Sequence, residues 1–137
     1  MTSLTDYLRK AAPISIALLM TGAPVVAAID LHDYDNDLMR DLDKTIKYFE
    51  PDLTAQNADA AKEDAQILLD GFKYTEGYFA KKGAQDAVEI SRKGVKVISD
   101  VLSSVDSNNF EAAAAAARAA PELCKSCHDL YKPRLAR

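Results

Sequence analysis

Cys124-Lys125-Ser126-Cys127-His128 is the segment from which the rest of this chain can be interpreted. On a helix, Cys127 follows Cys124 by three residues and His128 follows it by four, so the three side chains project from one face. Two thiols at this spacing can each add to one vinyl group of a haem, and the adjacent imidazole can then bind the iron. The C-x-x-C-H pattern therefore predicts covalent attachment of one haem c, with His128 as an iron ligand.

Two other interpretations of the cysteine pair have less support in the sequence. A redox-active dithiol is typical of a strand-helix-strand unit, and the chain shows no strand pattern. A zinc site would need two further ligands. The chain has only these two cysteines, and His32 is its only other histidine. The pattern thus favours haem over a dithiol or a zinc fragment.

The composition indicates one all-α domain. A chain of 137 residues is expected to form a single domain, and 48% apolar residues are enough for a hydrophobic core. Ala, Lys, Asp and Leu dominate, while alternating runs typical of strands are lacking. The formal net charge of −4 argues against a nucleic-acid partner. No Ser/His/Asp set and no second metal cluster is evident, so nothing in the sequence indicates an enzyme.

Residues 1–28 have the layout of a secretory signal peptide. Arg9 and Lys10 form a short basic region, and an uncharged, largely apolar stretch follows. Small residues precede the acidic segment that begins at Ile29, as a cleavage site requires. The alternative is an uncleaved anchor helix of about 18 residues, which is short for a bilayer span. We expect cleavage, no stable membrane span, and a cytochrome domain over 29–137.

Four amphipathic stretches predict four helices, over residues 33–49, 58–82 and 84–105 and from residue 110 onward. Pro51 is expected to end the first helix, because the residue before a proline is pushed out of the helical region. Asn57 or Asp59 can cap the second helix, and Gly83 can close it. Four such helices with short connections predict an antiparallel up-down-up-down four-helix bundle.

The fourth helix carries the haem motif. Asn108 and Glu111 resemble a capping box at its start, and a run of six alanines follows. Such a run forms helix readily and has a thin surface, which suits either close packing or a flat cofactor. Pro121 either kinks this helix or restarts it just ahead of Cys124. The predicted bundle therefore has its covalent haem on the C-terminal helix.

A haem motif on the last of four helices resembles the cytochrome c-prime family, the class II cytochromes c. The tail from Cys124 through Lys132 reads C-K-S-C-H-D-L-Y-K and is similar to the family ending C-K-x-C-H-D-x-Y-R/K. The chain differs from many members at two positions, with Lys132 and Asp35 where the family often has arginine. The resemblance implies dimerisation through the first two helices in some members, which suggests a homodimer here.

The residue on the other side of the iron separates the members of this family. High-spin members have an apolar residue five positions after a tyrosine of the first helix, and low-spin members have a methionine there. In this chain, Tyr34 plus five is Met39. The resemblance therefore implies a low-spin haem with His128 and Met39 as metal ligands, and core packing is the other role open to Met39. His32 lies about 10 Å along the helix axis from Met39, and we expect it to be a solvated surface residue.

These observations predict a periplasmic monohaem cytochrome that carries single electrons. Export agrees with this function, because bacteria attach haem to such proteins outside the cytoplasmic membrane. The alternatives are a five-coordinate member that binds nitric oxide or other small gases, and a haem subunit that docks to a larger redox enzyme. Six aspartates make the start of the mature chain acidic, at positions 30, 33, 35, 37, 41 and 43. They are either a solvated helix face or a surface for a redox partner with a basic docking face.

Overall fold

A computed structural model describes residues 29–135, with side chains as far as Lys132. The predicted signal peptide, residues 1–28, lies outside the described residues. The described part contains five α-helices and no strand: α1 Asn36–Thr54, α2 Ala58–Lys82, α3 Gln85–Asp106, α4 Phe110–Ala117 and α5 Ala119–Leu135. Across residues 29–135, the helices are too short or too polar to span a bilayer. The all-α prediction is confirmed.

The helices pack as an antiparallel bundle in which α4 and α5 together take the fourth position. Connections of two or three residues join the first four helices, so sequential helices must run in opposite directions. Ion pairs show this directly, because Lys62 near the start of α2 contacts Asp106 at the end of α3 at 2.7 Å. Glu50 of α1 and Arg118 before α5 pair at 3.3 Å. The predicted up-down-up-down arrangement therefore agrees with the contacts.

Pro51 does not end the first helix, so that prediction was wrong. Helix α1 continues through Pro51 to Thr54, and the N–H of Ala55 donates to the Pro51 carbonyl at 2.9 Å. A proline inside a helix costs about 3 kcal/mol in local terms. The continuation buries Leu53 completely beside Phe49, and this burial offsets the local cost. Tertiary packing therefore overrides the local signal.

Two helix starts also differ from the sequence prediction. Helix α1 begins at Asn36 rather than at residue 33, and Asp35 caps it by accepting from the N–H groups of Asp37 and Leu38. Asn109, rather than Asn108, caps the next helix by accepting from the Ala112 N–H. Asn108 instead takes a φ of 55°, a left-handed conformation that asparagine tolerates better than most residues. The N-cap was thus predicted one residue too early, and Ala112, the third residue after Asn109, cannot complete a capping box.

Other local signals were read correctly. Asn57, one of the two candidates, caps α2 through the N–H of Ala60, and Gly83 closes the helix with a φ of 74°. Pro121 is the third residue of α5, where a missing N–H leaves no intrahelical bond unmade. The break at Arg118 therefore restarts the helix ahead of Cys124, which was one of the two predicted outcomes.

Glycines let large side chains of the neighbouring helix approach the backbone at two places. A Cβ at Gly71 would lie 2.4 Å from a Leu42 methyl carbon, and one at Gly94 would lie 2.3 Å from the Phe72 ring. These distances are far below van der Waals contact, so only glycine fits without repacking. Gly77, by contrast, has open space around it. Gly71 and Gly94 therefore set the spacing of α1, α2 and α3.

We expect Gly94→Ala to lower the free energy of unfolding by about 1–3 kcal/mol, because the new methyl group would displace the Phe72 ring. Gly77→Ala is the matched control, since it adds the same methyl group to a helix interior without a clash. That variant should gain about 0.5–1 kcal/mol from helix propensity. Urea denaturation of both variants measures the difference. Equal stability of the two proteins would contradict the close packing at Gly94.

Residues 29–35 lie across the C-terminal end of α2. Leu31 and Tyr34 are buried there, and Asp33 accepts hydrogen bonds from the Tyr78 hydroxyl at 2.6 Å and the Lys82 ammonium at 2.9 Å. These two bonds, that from Tyr78 first, lower the pKa of Asp33 to about 2. The segment before α1 is therefore fastened to the bundle by apolar contacts and by one ionised carboxylate.

The Asp33 contacts are expected to make stability depend on acid pH. Because its pKa is lower in the folded state than the ordinary value of 3.8, the contribution is fully present above pH 3.8 and is lost as the pH falls towards 2. Thermal unfolding of the native protein and of Asp33→Asn, measured from pH 7 to pH 2, should show a difference that shrinks below pH 4. A difference that stays constant to pH 2 would contradict this role.

Candidate functional site

The four residues predicted to form the site lie together between α1 and α5. Cys124, Cys127 and His128 lie along α5, and all three side chains are partly buried. Met39, in the first turn of α1, is also partly buried. The Met39 sulfur lies 3.4 Å from Nε2 of His128, although 89 positions separate the two residues in sequence. The structure thus brings the predicted pair of metal ligands into direct contact.

A slot between α1 and α5 surrounds the Met39–His128 contact. The backbones of these two helices do not pack closely against each other, whereas α4 packs on α1 and both α4 and α5 pack on α3. Three adjoining cavities form the slot: a terminal cavity of about 420 Å³, a core cavity of about 70 Å³ and a surface groove of about 660 Å³. The sizes of the terminal cavity and the surface groove are typical of ligand sites.

The motif residues line this slot throughout. His128 lines all three cavities, while Met39 and Cys127 line the terminal and core cavities. Cys124 lines the core cavity and the surface groove. The walls of the slot therefore carry both thiols together with the Met39 side chain of α1 and the His128 side chain of α5.

The inner walls of the slot are largely apolar. The terminal cavity is bounded on its inner side by Leu31, Tyr34, Phe79 and Tyr131, which are all buried. The core cavity is lined mainly by aliphatic and aromatic side chains of α1, α2 and α3, among them Leu42, Ile46, Leu68, Phe72 and Ile90. Such walls suit a large apolar ligand.

Buried polar groups beneath the slot are satisfied within the bundle. The Thr75 hydroxyl donates to the Gly71 carbonyl at 2.8 Å, so its oxygen is left to accept from the Tyr34 hydroxyl at 2.7 Å. Burial raises the pKa of Tyr34 to about 12, which keeps this phenol protonated as the donor. The Tyr131 hydroxyl donates to Asp86 of α3. These bonds fix the aromatic walls in place.

The environment of His128 favours the neutral imidazole. Burial lowers the pKa of His128, and the charge of Lys132 acts in the same direction, while Asp43 and Asp129 oppose them. The neutral ring is the form that binds a metal. His128 is therefore prepared to be a ligand near neutral pH.

The two thiols lie in surroundings unlike those of a redox dithiol. Burial raises the pKa of Cys124 and raises that of Cys127 to about 11. Redox-active pairs instead have a lowered thiol pKa, commonly through the N-terminus of a helix. Here the motif begins more than one turn inside α5. The geometry therefore does not favour the dithiol interpretation.

His32 and the zinc alternative have no support in the described residues. The His32 side chain is 78% exposed and bonds through Nδ1 to Asp30 at 2.8 Å, away from all three cavities. Within residues 29–135, no three His, Cys, Asp or Glu side chains are grouped as a metal ion would need. His32 is a surface residue, as the sequence analysis expected.

Asp43 also belongs to the site, although the sequence pattern did not predict this. Asp43 lines all three cavities and pairs with Lys47 at 2.7 Å, and this bond lowers the pKa of the carboxyl group. Its position one turn after Met39 on the same helix was the available signal. Thr75 and Phe79 of α2 were also missed as lining residues, and nothing in their local sequence marks them.

Comparisons with protein-family models, with curated proteins and with solved structures find no match to this chain.

Proposed function

We propose that this chain is a class II cytochrome c that binds one haem c covalently through Cys124 and Cys127. His128 and Met39 would hold the haem iron, which would allow the protein to carry single electrons. The observation that carries this proposal is the 3.4 Å approach of the Met39 sulfur to the His128 imidazole at the centre of an apolar slot that the two thiols border. Haem attachment by the C-x-x-C-H motif explains why these four side chains meet.

The residues that line the slot suit a haem. A bound haem supplies an iron that changes by one electron between its ferric and ferrous forms. His128 offers a neutral nitrogen, and Met39 offers a soft, neutral sulfur on the facing helix. The two atoms must separate to admit a metal, and the three rotatable bonds of methionine let its sulfur move. The apolar walls exclude water, and a neutral ligand pair favours the ferrous form.

Met39 also decides between electron transfer and gas binding. With its sulfur bound, both axial positions are filled and a gas molecule has to displace the sulfur. The 3.4 Å contact between the Met39 sulfur and His128 Nε2 supports this role for Met39. We therefore favour the electron carrier, and the five-coordinate gas-binding cytochrome is an outcome that the test below distinguishes.

The proposed location is the bacterial periplasm, where haem is attached after export and the predicted signal peptide is removed. Mass analysis of the purified holoprotein checks this. We expect the mature chain to begin near Ile29 and the protein to be in the periplasmic fraction. Retention of residues 1–28 together with membrane association would instead favour the anchor helix.

Visible spectra of the oxidised and reduced protein test the proposed function. We expect a low-spin ferric spectrum with a weak near-infrared band from sulfur-to-iron charge transfer, and a low-spin ferrous spectrum that carbon monoxide changes only slowly. A high-spin ferric spectrum with rapid carbon monoxide uptake would show that Met39 is only core packing. In that case gas binding would be the better function.

The proposed function implies a redox partner. The six aspartates at the start of the mature chain, here called the acidic row, are more nearly balanced by nearby positive charges than the sequence suggests. Several of its aspartates form ion pairs with nearby cations or histidine: Asp30 with His32, Asp33 with Lys82, Asp37 with Arg40, Asp41 with Lys44 and Asp43 with Lys47. Asp35 is engaged as the cap of α1. Ion pairs with neighbouring residues weaken the long-range electrostatic field of these aspartates. A docking surface for a basic partner therefore has less support here than a solvent-exposed helix face.

A further inference from the structure

The lining of the terminal cavity separates into a buried apolar floor and an exposed polar mouth. Its floor is formed by buried side chains, chiefly Leu31, Tyr34, Phe79 and Tyr131. Its exposed lining residues are all polar or charged: Asn36, Arg40, Asp43 and Lys132. A ligand with one apolar edge and one charged edge is therefore expected to enter with the charged edge towards this mouth.

The mouth carries two cations, one from each helix that borders the slot. Arg40 comes from α1 and Lys132 from α5. Asp43 is the opposing charge, and it forms an ion pair with Lys47. Arg40 contacts Asp37, one turn earlier on an exposed face, so a second carboxylate can share or replace that partner at low cost. Lys132 has no ion pair with any described residue. The mouth therefore suits an anionic group.

We propose that Arg40 and Lys132 bind the propionate carboxylates of the haem, which orients its carboxylate edge towards the mouth of the terminal cavity. This inference rests on the proposed function. Arg40 can form paired N–H···O bonds to a carboxylate, and Lys132 acts as a point charge. Asn36 adds an amide donor at the same mouth.

The core cavity and the surface groove are less suited to the propionate carboxylates than the terminal cavity is. No Lys or Arg lines the core cavity. The surface groove shares Lys132 with the terminal cavity, and its other cation, Lys125, pairs with Asp129 at 2.5 Å. Cys124 lines the core cavity and the groove but not the terminal cavity. Cys127 lines the terminal cavity as well as the core cavity. Since the vinyl and propionate groups of haem lie on opposite edges of the ring, a thioether bond at Cys124 would leave the propionate edge facing the terminal cavity, where Arg40 lies.

Resonance Raman spectra of the purified, haem-loaded protein test this inference, because the propionate bending band reports hydrogen bonds to the carboxylates. We expect the band to move to lower frequency in Arg40→Gln and in Lys132→Gln, and to recover in part in Arg40→Lys. Lys44→Gln is the matched control, since Lys44 is an exposed cation of the same helix that pairs with Asp41 and lines none of the three cavities.

The equilibrium constant for haem reduction, measured against a reference couple, is a second readout. Loss of one cation beside the carboxylates should lower it about 1.5- to 5-fold, the range of an exposed ion pair. A haem that is attached but shows an unmoved band in both glutamine variants would overturn the propionate contacts and leave the cytochrome assignment intact. Wild-type protein without attached haem would overturn the proposed function itself.

Discussion

Haem extraction into acidified organic solvent is expected to succeed for the double variant Cys124→Ser, Cys127→Ser and to fail for the native protein. The native thioether bonds are covalent and survive denaturation, whereas serine hydroxyls do not add to the vinyl groups. The effect is therefore all or none. The absorbance of the organic phase, together with the mass of the polypeptide, measures it.

The matched control for this experiment is Ser126→Ala, within the same motif. The Ser126 side chain is exposed, and its hydroxyl donates to the Glu122 carbonyl at 2.8 Å, away from the slot. We expect this variant to keep its haem. Extractable haem in the native protein, or a native protein without haem, would refute covalent attachment and with it the proposed function.

Met39→Leu is expected to change the spin state and to open the iron to small gases. Loss of the thioether leaves one axial position without a protein ligand, so the ferric spectrum should become high-spin and the near-infrared band should vanish. Carbon monoxide and nitric oxide should then bind readily. The reduction potential should fall, because a Met/His pair raises the potential of a c-type haem. The bundle should remain folded, since exchanging Met for Leu in a packed site usually costs less than about 1.5 kcal/mol.

Leu38→Met is the matched control for the axial ligand. It adds a thioether at the neighbouring position, and Leu38 lines none of the three cavities. Its spectrum should equal that of the native protein. A Met39→Leu protein that stays low-spin would show that another residue binds the iron, and His32 would then be tested next. That result would also require the segment 29–35 before α1 to rearrange, because His32 bonds to Asp30 at the surface.

Local signals in the sequence predicted the helices well and their ends less well. Asn57 and Gly83 were identified because a cap acts on backbone groups within three or four residues of itself. Pro51 was misjudged because its effect depends on what the following turn buries. Leu53 gains full burial from continued helix, and that gain comes from helices distant in sequence.

The residues of the candidate site also fall into two groups: those that the local sequence predicts and those that depend on tertiary packing. Cys124, Cys127 and His128 are neighbours along one helix, so their spacing alone indicates the attachment chemistry. The prediction that Met39 binds the iron depends on the resemblance to a family. Its contact with His128 and the role of Asp43 in lining the slot depend on how α1 sits against α5.

By itself, the sequence determined what is local: an all-α chain, most helix ends and a haem-attachment motif on the last helix. Periodicity, caps and the C-x-x-C-H spacing act within a few residues, so each can be read without knowing the fold. Only the tertiary structure decided the slot between α1 and α5, its apolar floor and the cations at its mouth. These arise from the packing of residues up to 89 positions apart, where Gly71 and Gly94 set the helix spacing, and no local pattern encodes such distances.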